Sequence, residues 1–248
     1  MSNWGKEKQV QFIDRKKRAD IKVQPINYGM SALGGPLHAY LPGKWEGKRT
    51  LIMAGIHGEE PETSNLLSYA LRSIKPSYLS CAVIICANPD GMARGTRGNA
   101  HNVDLNRNFP SLNWRKGITT TRWEMHLLQD TELKSGMAPA SETETKSLIN
   151  FINQHKIKQI VSLHAPMGCI DYEQNEEWPL VNALSKKLCL PIVNDIGYPC
   201  PGSMDSWASS INLRLVTVEI ENNLPLTKIR QKYGPVIQEL LLGELPGL

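Results

Sequence analysis

Four short stretches of this chain are almost continuously apolar: "RTLIMAGI" (49–56), "LSCAVIICAN" (79–88), "KQIVSLHAP" (158–166) and "LRLVTVEI" (213–220). Runs this brief and this rich in β-branched residues predict strands buried on both faces, at the centre of a parallel or mixed sheet. Between them the spacing of apolar positions changes. "PETSNLLSYALRSI" (61–74), "SETETKSLINFINQH" (141–155) and "PLVNALSKKLC" (179–189) follow the amphipathic period of helices, and "LTKIRQKYGPVIQELLLG" (226–243) closes the chain with another. Ser141 followed three residues on by Glu144 predicts a capping box. "YGMSALGGPLHAYLPG" (28–43) alternates around turn residues, as a small antiparallel hairpin does. The first 27 residues are polar and weakly periodic, and predict a surface wrap. Alternating strands and helices imply a three-layer α/β/α fold with a central mixed, largely parallel sheet. No repeat, low-complexity tract or linker divides residues 1–248, which predicts a single catalytic-sized domain.

In such a sheet ligands bind beyond the carboxyl ends of the strands. The polar residues found there are therefore informative. His57 follows the strand ending at Ile56, His164 ends "IVSLH", and Glu219 lies near the end of "LVTVE". Two imidazoles and one carboxylate with a fourth position open make a catalytic zinc site. His57 and Glu60 stand three apart in "AGIHGEEPET" (54–63), which lets both side chains turn towards one point, with His164 as the distant third ligand. Glu59 and Glu62 are the local competitors of Glu60.

A long polar stretch, "NPDGMARGTRGNAHNVDLNRNFP" (88–110), separates two structured regions, and loops of this length are usually functional or disordered. Asp104, Asn106 and Arg107 alternate with Val103 and Leu105, which predicts an extended segment with its polar side chains on one side. An Asn106–Arg107 pair suits a carboxylate, because the guanidinium fork takes both oxygens and the amide adds a donor.

Composition narrows the partners. A net charge of +4 with scattered Lys and Arg favours a small anionic substrate over nucleic acid, and the one dense basic run, "DRKKR" (14–18), reads as a solvated segment. Five cysteines without a C-x-x-C pair argue against a disulfide framework and for a reducing compartment. The amino terminus lacks an apolar signal region, and no apolar run approaches a membrane span. A cytoplasmic location is expected, with no membrane or nucleic-acid partner. His38, His126 and His155 read as structural or exposed, Trp178 and Trp207 as packing residues, and His101, inside the arginine loop, as a possible substrate contact.

Taken together, H-x-x-E at 57–60, "VDLNRNF" at 103–109, "SLH" at 162–164 and "TVE" at 217–219 resemble the zinc carboxypeptidase family in order and spacing. Each motif is weak alone; the combination is specific and covers roughly Tyr28 to Glu221. The resemblance implies one Zn2+ per chain held by His57, Glu60 and His164, and Glu219 as the residue that takes a proton from the attacking water and returns it to the leaving amine. It implies that Asn106 and Arg107 hold the free carboxylate of the residue after the cleaved bond, and that an arginine stabilises the oxyanion. Arg97 fits that last role better than Arg94 by its spacing to "DLNR". Family members place a tyrosine over the substrate, and Tyr198 in "GYPCPGSMDSW" (197–207) lies near that position; a packing role is the alternative. The wordings "NPDG" and "GYPCPGS" are similar to a bacterial branch that cleaves the γ-D-glutamyl–diaminopimelate bond of murein tripeptide, which makes a small anionic peptide the expected substrate. Ser203 and Asp205 are candidates for the distal amino group of diaminopimelate. The alternatives are an acyl-amino-acid deacylase of the aspartoacylase or succinylglutamate desuccinylase kind, a non-catalytic peptide-binding module and an ordinary carboxypeptidase.

Overall fold

The structure, a computed structural model, describes residues 20–45, 47–123, 129–174 and 176–248. The "DRKKR" run, His126 and most of the polar amino-terminal segment lie outside the described residues. The elements in chain order are β1 (Pro25–Met30), β2 (Pro36–Tyr40), β3 (Thr50–Ala54), α1 (Pro61–Ser73), β4 (Ala82–Ile84), α2 (Pro89–Arg94), β5 (Ile118–Trp123) and β6 (Gln129–Lys134). There follow α3 (Thr143–Gln154), β7 (Gln159–His164), β8 (Ile170–Asp171), α4 (Pro179–Leu188), β9 (Ile192–Val193), α5 (Met204–Ser210), β10 (Arg214–Glu219) and α6 (Leu226–Leu242).

Eight strands form one mixed sheet in the order β1-β2-β4-β3-β7-β10-β8-β9. The four apolar runs supply its centre, β4, β3, β7 and β10, and every pairing among these is parallel. Their continuous apolar character resolves into two faces, because successive side chains of a strand point oppositely. Ile52, Ala54, Val161, Leu163, Val216 and Val218 pack with α1, α4 and α6 on one side. Leu51, Met53, Ile160 and Leu215 pack with Leu148, Phe151 and Ile152 of α3 and Trp207 of α5 on the other. Each helix offers its apolar stripe; in α1 the buried positions are Thr63, Leu66, Leu67, Ala70 and Leu71. The three-layer architecture and the mixed sheet agree with the sequence. Among the described residues no helix is long and apolar enough to cross a membrane.

Two local expectations are corrected, and one element was not foreseen. The α3 capping box does not form: Glu142 is the N-cap, and the Glu144 carboxylate accepts from Ala32 N at 2.9 Å and Asn99 Nδ2 at 3.1 Å, while Ser141 Oγ donates to Glu142 Oε1. Tertiary partners take the side chains that a local cap would use. Residues 105–107 form a 3-10 turn instead of an extended segment, because the Asp104 side chain accepts from Asn106 N at 2.8 Å and bends the chain. The β5–β6 hairpin lies in a region where the sequence is polar, "ITTTRW" and "QDTELK", with no hydrophobic alternation to announce strands.

Candidate active site

Parallel alignment of β3, β7 and β10 brings their carboxyl ends to one edge of the sheet. Glu219 and His164 are register partners at the ends of β10 and β7. His57 follows β3 through Gly55, whose φ of +66° makes the left-handed turn that reverses the chain there. Gly58 then lets the loop lie directly on α2: a Cβ at this position would fall 2.1 Å from the Gly91 carbonyl carbon. Asn88 fastens the same corner. Its Oδ1 accepts from Gly91 N at 2.9 Å, and its Nδ2 donates to Ile56 O at 3.2 Å and Arg97 O at 3.3 Å. Gly58→Ala is expected to destabilise the protein by about 3 kcal/mol, because the clash is with backbone that cannot rotate away. Chemical denaturation checks this, and a midpoint equal to the parent's would refute it.

The structure gathers His57, Glu60 and His164 into a buried group whose ligand atoms all lie within 4.8 Å of one another. The His57 and His164 Nδ1 atoms are 3.2 Å apart, His57 Nδ1 is 2.7 Å from Glu60 Oε1, and His164 Nδ1 is 3.4 Å from Glu60 Oε2. Donors bound tetrahedrally at 2.0–2.1 Å to one zinc ion stand about 3.3 Å apart, so this spacing fits such an ion. The competitors fall away on geometry. Glu59 turns to Arg97, and Glu62, half-buried on α1, is not part of the group. Glu60 is also the residue that enters α1 yet makes no side-chain cap, which leaves its carboxylate to the histidines.

Asp104 is the hub that the sequence did not expose as functional. It is buried; its Oδ2 accepts from Arg97 Nε at 3.0 Å, and its Oδ1 lies 3.3 Å from His57 Nε2. The second contact is electrostatic, since His57 Nε2 has no aligned hydrogen-bond partner. The only sequence signal was its position inside the same polar run as Asn106 and Arg107. Burial opposes ionisation of Asp104, but Arg97 and His57 outweigh it and hold the carboxyl well below the usual range. For His57, burial and Arg97 oppose protonation, and Glu60 with Asp104 overcomes both to raise it to about 9. Glu60 is lowered for the matching reason: burial opposes, but His57 and His164 prevail.

Beside this group a polar cleft is lined by Arg97, Asn106, Arg107, His164, Tyr198 and Glu219, and also by Asp171, Glu173, Cys200 and Asp205. Of the two arginines weighed for the oxyanion, Arg97 is in the cleft, whereas Arg94 donates to Ala100 O at 3.3 Å outside it. Glu219 is buried, its Oε2 accepts from Met167 N at 3.3 Å, and burial raises its pKa with His164 opposing and Glu60 adding. Asn106 Oδ1 accepts from Met204 N at 2.8 Å, which leaves its amide nitrogen as the donor to the cleft. Tyr198 is 49% exposed and lines the cleft. Ser203 is occupied as the α5 N-cap, accepting from Ser206 N at 3.0 Å. His101 makes no cleft contact; it pairs with Glu142 at 2.7 Å. Trp178 and Trp207 are buried packing residues, while His38 is exposed on β2.

An acidic group in the cleft wall was largely missed, since Asp171 and Glu173 belong to no motif. Asp171 is 6% exposed and its Oδ1 has no partner. Burial, reinforced by Glu173 and Glu219, pushes its pKa up to about 7. The half-buried Asp205 is held well above the usual range by burial and by Asp171 and Glu173.

This arrangement, a two-His, one-Glu group at the sheet edge with a buried glutamate and arginines around a polar cleft, defines a metal-dependent hydrolase. The chain belongs to the zinc carboxypeptidase family, whose model matches residues 20–184, and is a zinc metallopeptidase or amidase. It is 40% identical to murein peptide amidase A of Escherichia coli K12 over 206 residues, 83% of this chain and 84% of that one. Identity to murein peptide amidase A of Vibrio campbellii is also 40%, over 213 residues and 85% of each chain. The crystal structure of murein-tripeptide amidase MpaA from E. coli O157 superposes with a TM-score of 0.85 at 36% identity, covering 93% of this chain and 96% of that chain. Thrombin-activatable fibrinolysis inhibitor, at 20% identity and a TM-score of 0.68, shares the fold.

Proposed function

We propose that this protein hydrolyses the γ-D-glutamyl–meso-diaminopimelate amide bond of murein tripeptide, with one zinc ion held by His57, Glu60 and His164. The observation that carries the substrate is the polarity of the cleft. Arg107 and Asn106 line it with donors, and Asp171, Glu173 and Asp205 line it with acidic acceptors. A leaving residue with an α-carboxylate and a distal centre that bears an ammonium matches both sets; the names of the relatives point to the same substrate. An acyl-aspartate or succinyl-glutamate would instead bring its second carboxylate with no ammonium beside it to meet the three acids. The five unpaired cysteines support a cytoplasmic location.

When bound, zinc supplies Lewis acidity, lowering the pKa of water and polarising the scissile carbonyl. Glu219 accepts the proton of the attacking water and passes it to the leaving amine. Arg97, fixed by Asp104 and Glu59, points its charge at the oxygen on which negative charge develops. Arg107 and Asn106 hold the carboxylate of the leaving residue, and Tyr198 covers it.

The test is incubation of the metal-loaded protein with L-Ala-γ-D-Glu-meso-diaminopimelate, following free diaminopimelate; absence of release overturns the proposal. A second peptide, ending in 2-aminopimelate and so lacking the distal ammonium, probes the acidic group. An ammonium favours the ionised form of Asp171, whose pKa stands at about 7, so protonation below that pH weakens the contact. The ratio of kcat/KM for the two peptides should fall about tenfold from pH 8 to pH 6, a loss in the range of one charged hydrogen bond. Asp171→Asn should flatten the dependence, and a ratio insensitive to both pH and substitution would reject the assignment.

A further inference from the structure

The two cleft arginines differ in what surrounds them. Arg97 is held by carboxylates: Nε donates to Asp104 Oδ2 at 3.0 Å, and Nη1 donates to Glu59 Oε1 at 3.1 Å and Glu60 Oε1 at 3.5 Å. Arg107 is 5% exposed, yet among the described residues no carboxylate pairs with it. Its Nη1 donates to the Asn106 carbonyl at 2.7 Å, its Nη2 donates to Cys200 Sγ at 3.1 Å, and its buried Nε has no partner. A buried guanidinium whose hydrogen bonds go only to neutral groups is not tied to a carboxylate and can take one from an incoming anion.

We propose that Cys200 is a positioning residue for anion binding: its neutral, weakly accepting sulfur orients the Arg107 guanidinium in the cleft without neutralising it. This rests on Arg107 being the receiver of the substrate carboxylate.

The loop around the sulfur is built to hold it there. Cys200 lies between Pro199 and Pro201; the prolines fix their own φ, and Pro201 drives Cys200 away from helical backbone. Gly202, with φ +79°, lies so close to the Arg107 segment that a Cβ would stand 2.4 Å from the Arg107 carbonyl oxygen. Phe109 N donates to Gly202 O at 2.9 Å, so the two segments are fastened just beyond the cysteine. Cys200 Sγ–H donates to Tyr198 O at 3.6 Å, which leaves the sulfur lone pairs for Arg107. Burial pushes the thiol up to about 11 against the pull of Arg107, so the sulfur stays neutral. Sulfur accepts weakly, and the Nη2 bond to it yields to a carboxylate oxygen, which forms a shorter charge-assisted bond. An aspartate at this position would itself occupy the guanidinium and compete with substrate.

The experiment compares Cys200→Ala, Cys200→Ser, Cys200→Asp and Arg107→Ala as metal-loaded proteins. It measures kcat and KM on the tripeptide and, by calorimetry, the Kd of free meso-diaminopimelate, with melting and zinc content for each variant. Cys200→Ala should raise KM and Kd about fivefold with kcat within about twofold, the scale of one neutral hydrogen bond, and Cys200→Ser should restore most of the affinity. Cys200→Asp should raise both by about 30-fold, the scale of a charged pair. If Cys200→Ala and Cys200→Ser both bind as the parent does while Arg107→Ala weakens binding, the positioning role is overturned and the clamp stands. If Arg107→Ala binds normally, the clamp itself is overturned. Should the aspartate variant not fold, the alanine and serine pair decides.

Discussion

Glu219→Gln is expected to cut kcat by about 10²–10⁴-fold, the usual contribution of a positioned general acid–base group, while zinc content stays at the parent's level. The amide is nearly isosteric with the carboxylate, so packing at the end of β10 and the hydrogen bond from Met167 N are kept. What is lost is the capacity to accept a proton from water and return one to the amine. Steady-state kinetics on the tripeptide, with metal analysis of the same preparation, measures both quantities. Near-parent turnover in a fully loaded variant would remove Glu219 from the mechanism.

His164→Ala should act one step earlier, on the metal. It deletes one of the three proposed ligands from a buried group whose ligand atoms lie within 4.8 Å of one another, which would leave His57 and Glu60 to hold the ion alone. Outer-shell losses typically cost 10–100-fold in metal affinity, and loss of a direct ligand should exceed about 100-fold. The same variant gives a stability readout that does not depend on turnover. An ion at a concentration 1,000 times its Kd stabilises the fold by about 4 kcal/mol, or about 10 °C in Tm for a chain of this size. Zinc should therefore raise the Tm of the stripped parent protein and leave that of His164→Ala almost unchanged. Equal zinc-induced shifts in the two proteins would mean that the ligand set is wrong.

These two substitutions separate functions that the sheet places side by side. Glu219 and His164 are register partners on β10 and β7, yet one is proposed to move protons and the other to hold the ion. The difference lies in their surroundings. Both line the cleft, but His164 sits against Glu60 and His57, whereas Glu219 accepts from Met167 N and is raised by burial.

Much of the architecture is legible along the chain because it depends on local pattern. The runs at 49–56, 79–88, 158–166 and 213–220 contain the four parallel strands, and the amphipathic segments contain α1, α3, α4 and α6. His57, Glu60 and His164 could be named because they end or follow such strands, and parallel strands bring their carboxyl ends to one edge. The β5–β6 hairpin was not legible, since its stretches are polar and its strands are defined by pairing with each other. Nor was the α3 cap, because the Glu144 carboxylate bonds to Asn99 and Ala32 across the fold.

By itself the sequence determined the layer order, the buried strands and the identity of the residues at their ends, because side-chain periodicity and strand-end position are properties of neighbours along the chain. Only the tertiary structure decided that Asp104 joins Arg97 to His57, that Arg97 and not Arg94 reaches the cleft, and that Asp171 and Asp205 line that same cleft. It also decided that Cys200 is the partner of Arg107. Charge and hydrogen bonding act through space over a few ångströms, and residues separated by tens of positions reach that range only when the chain has folded.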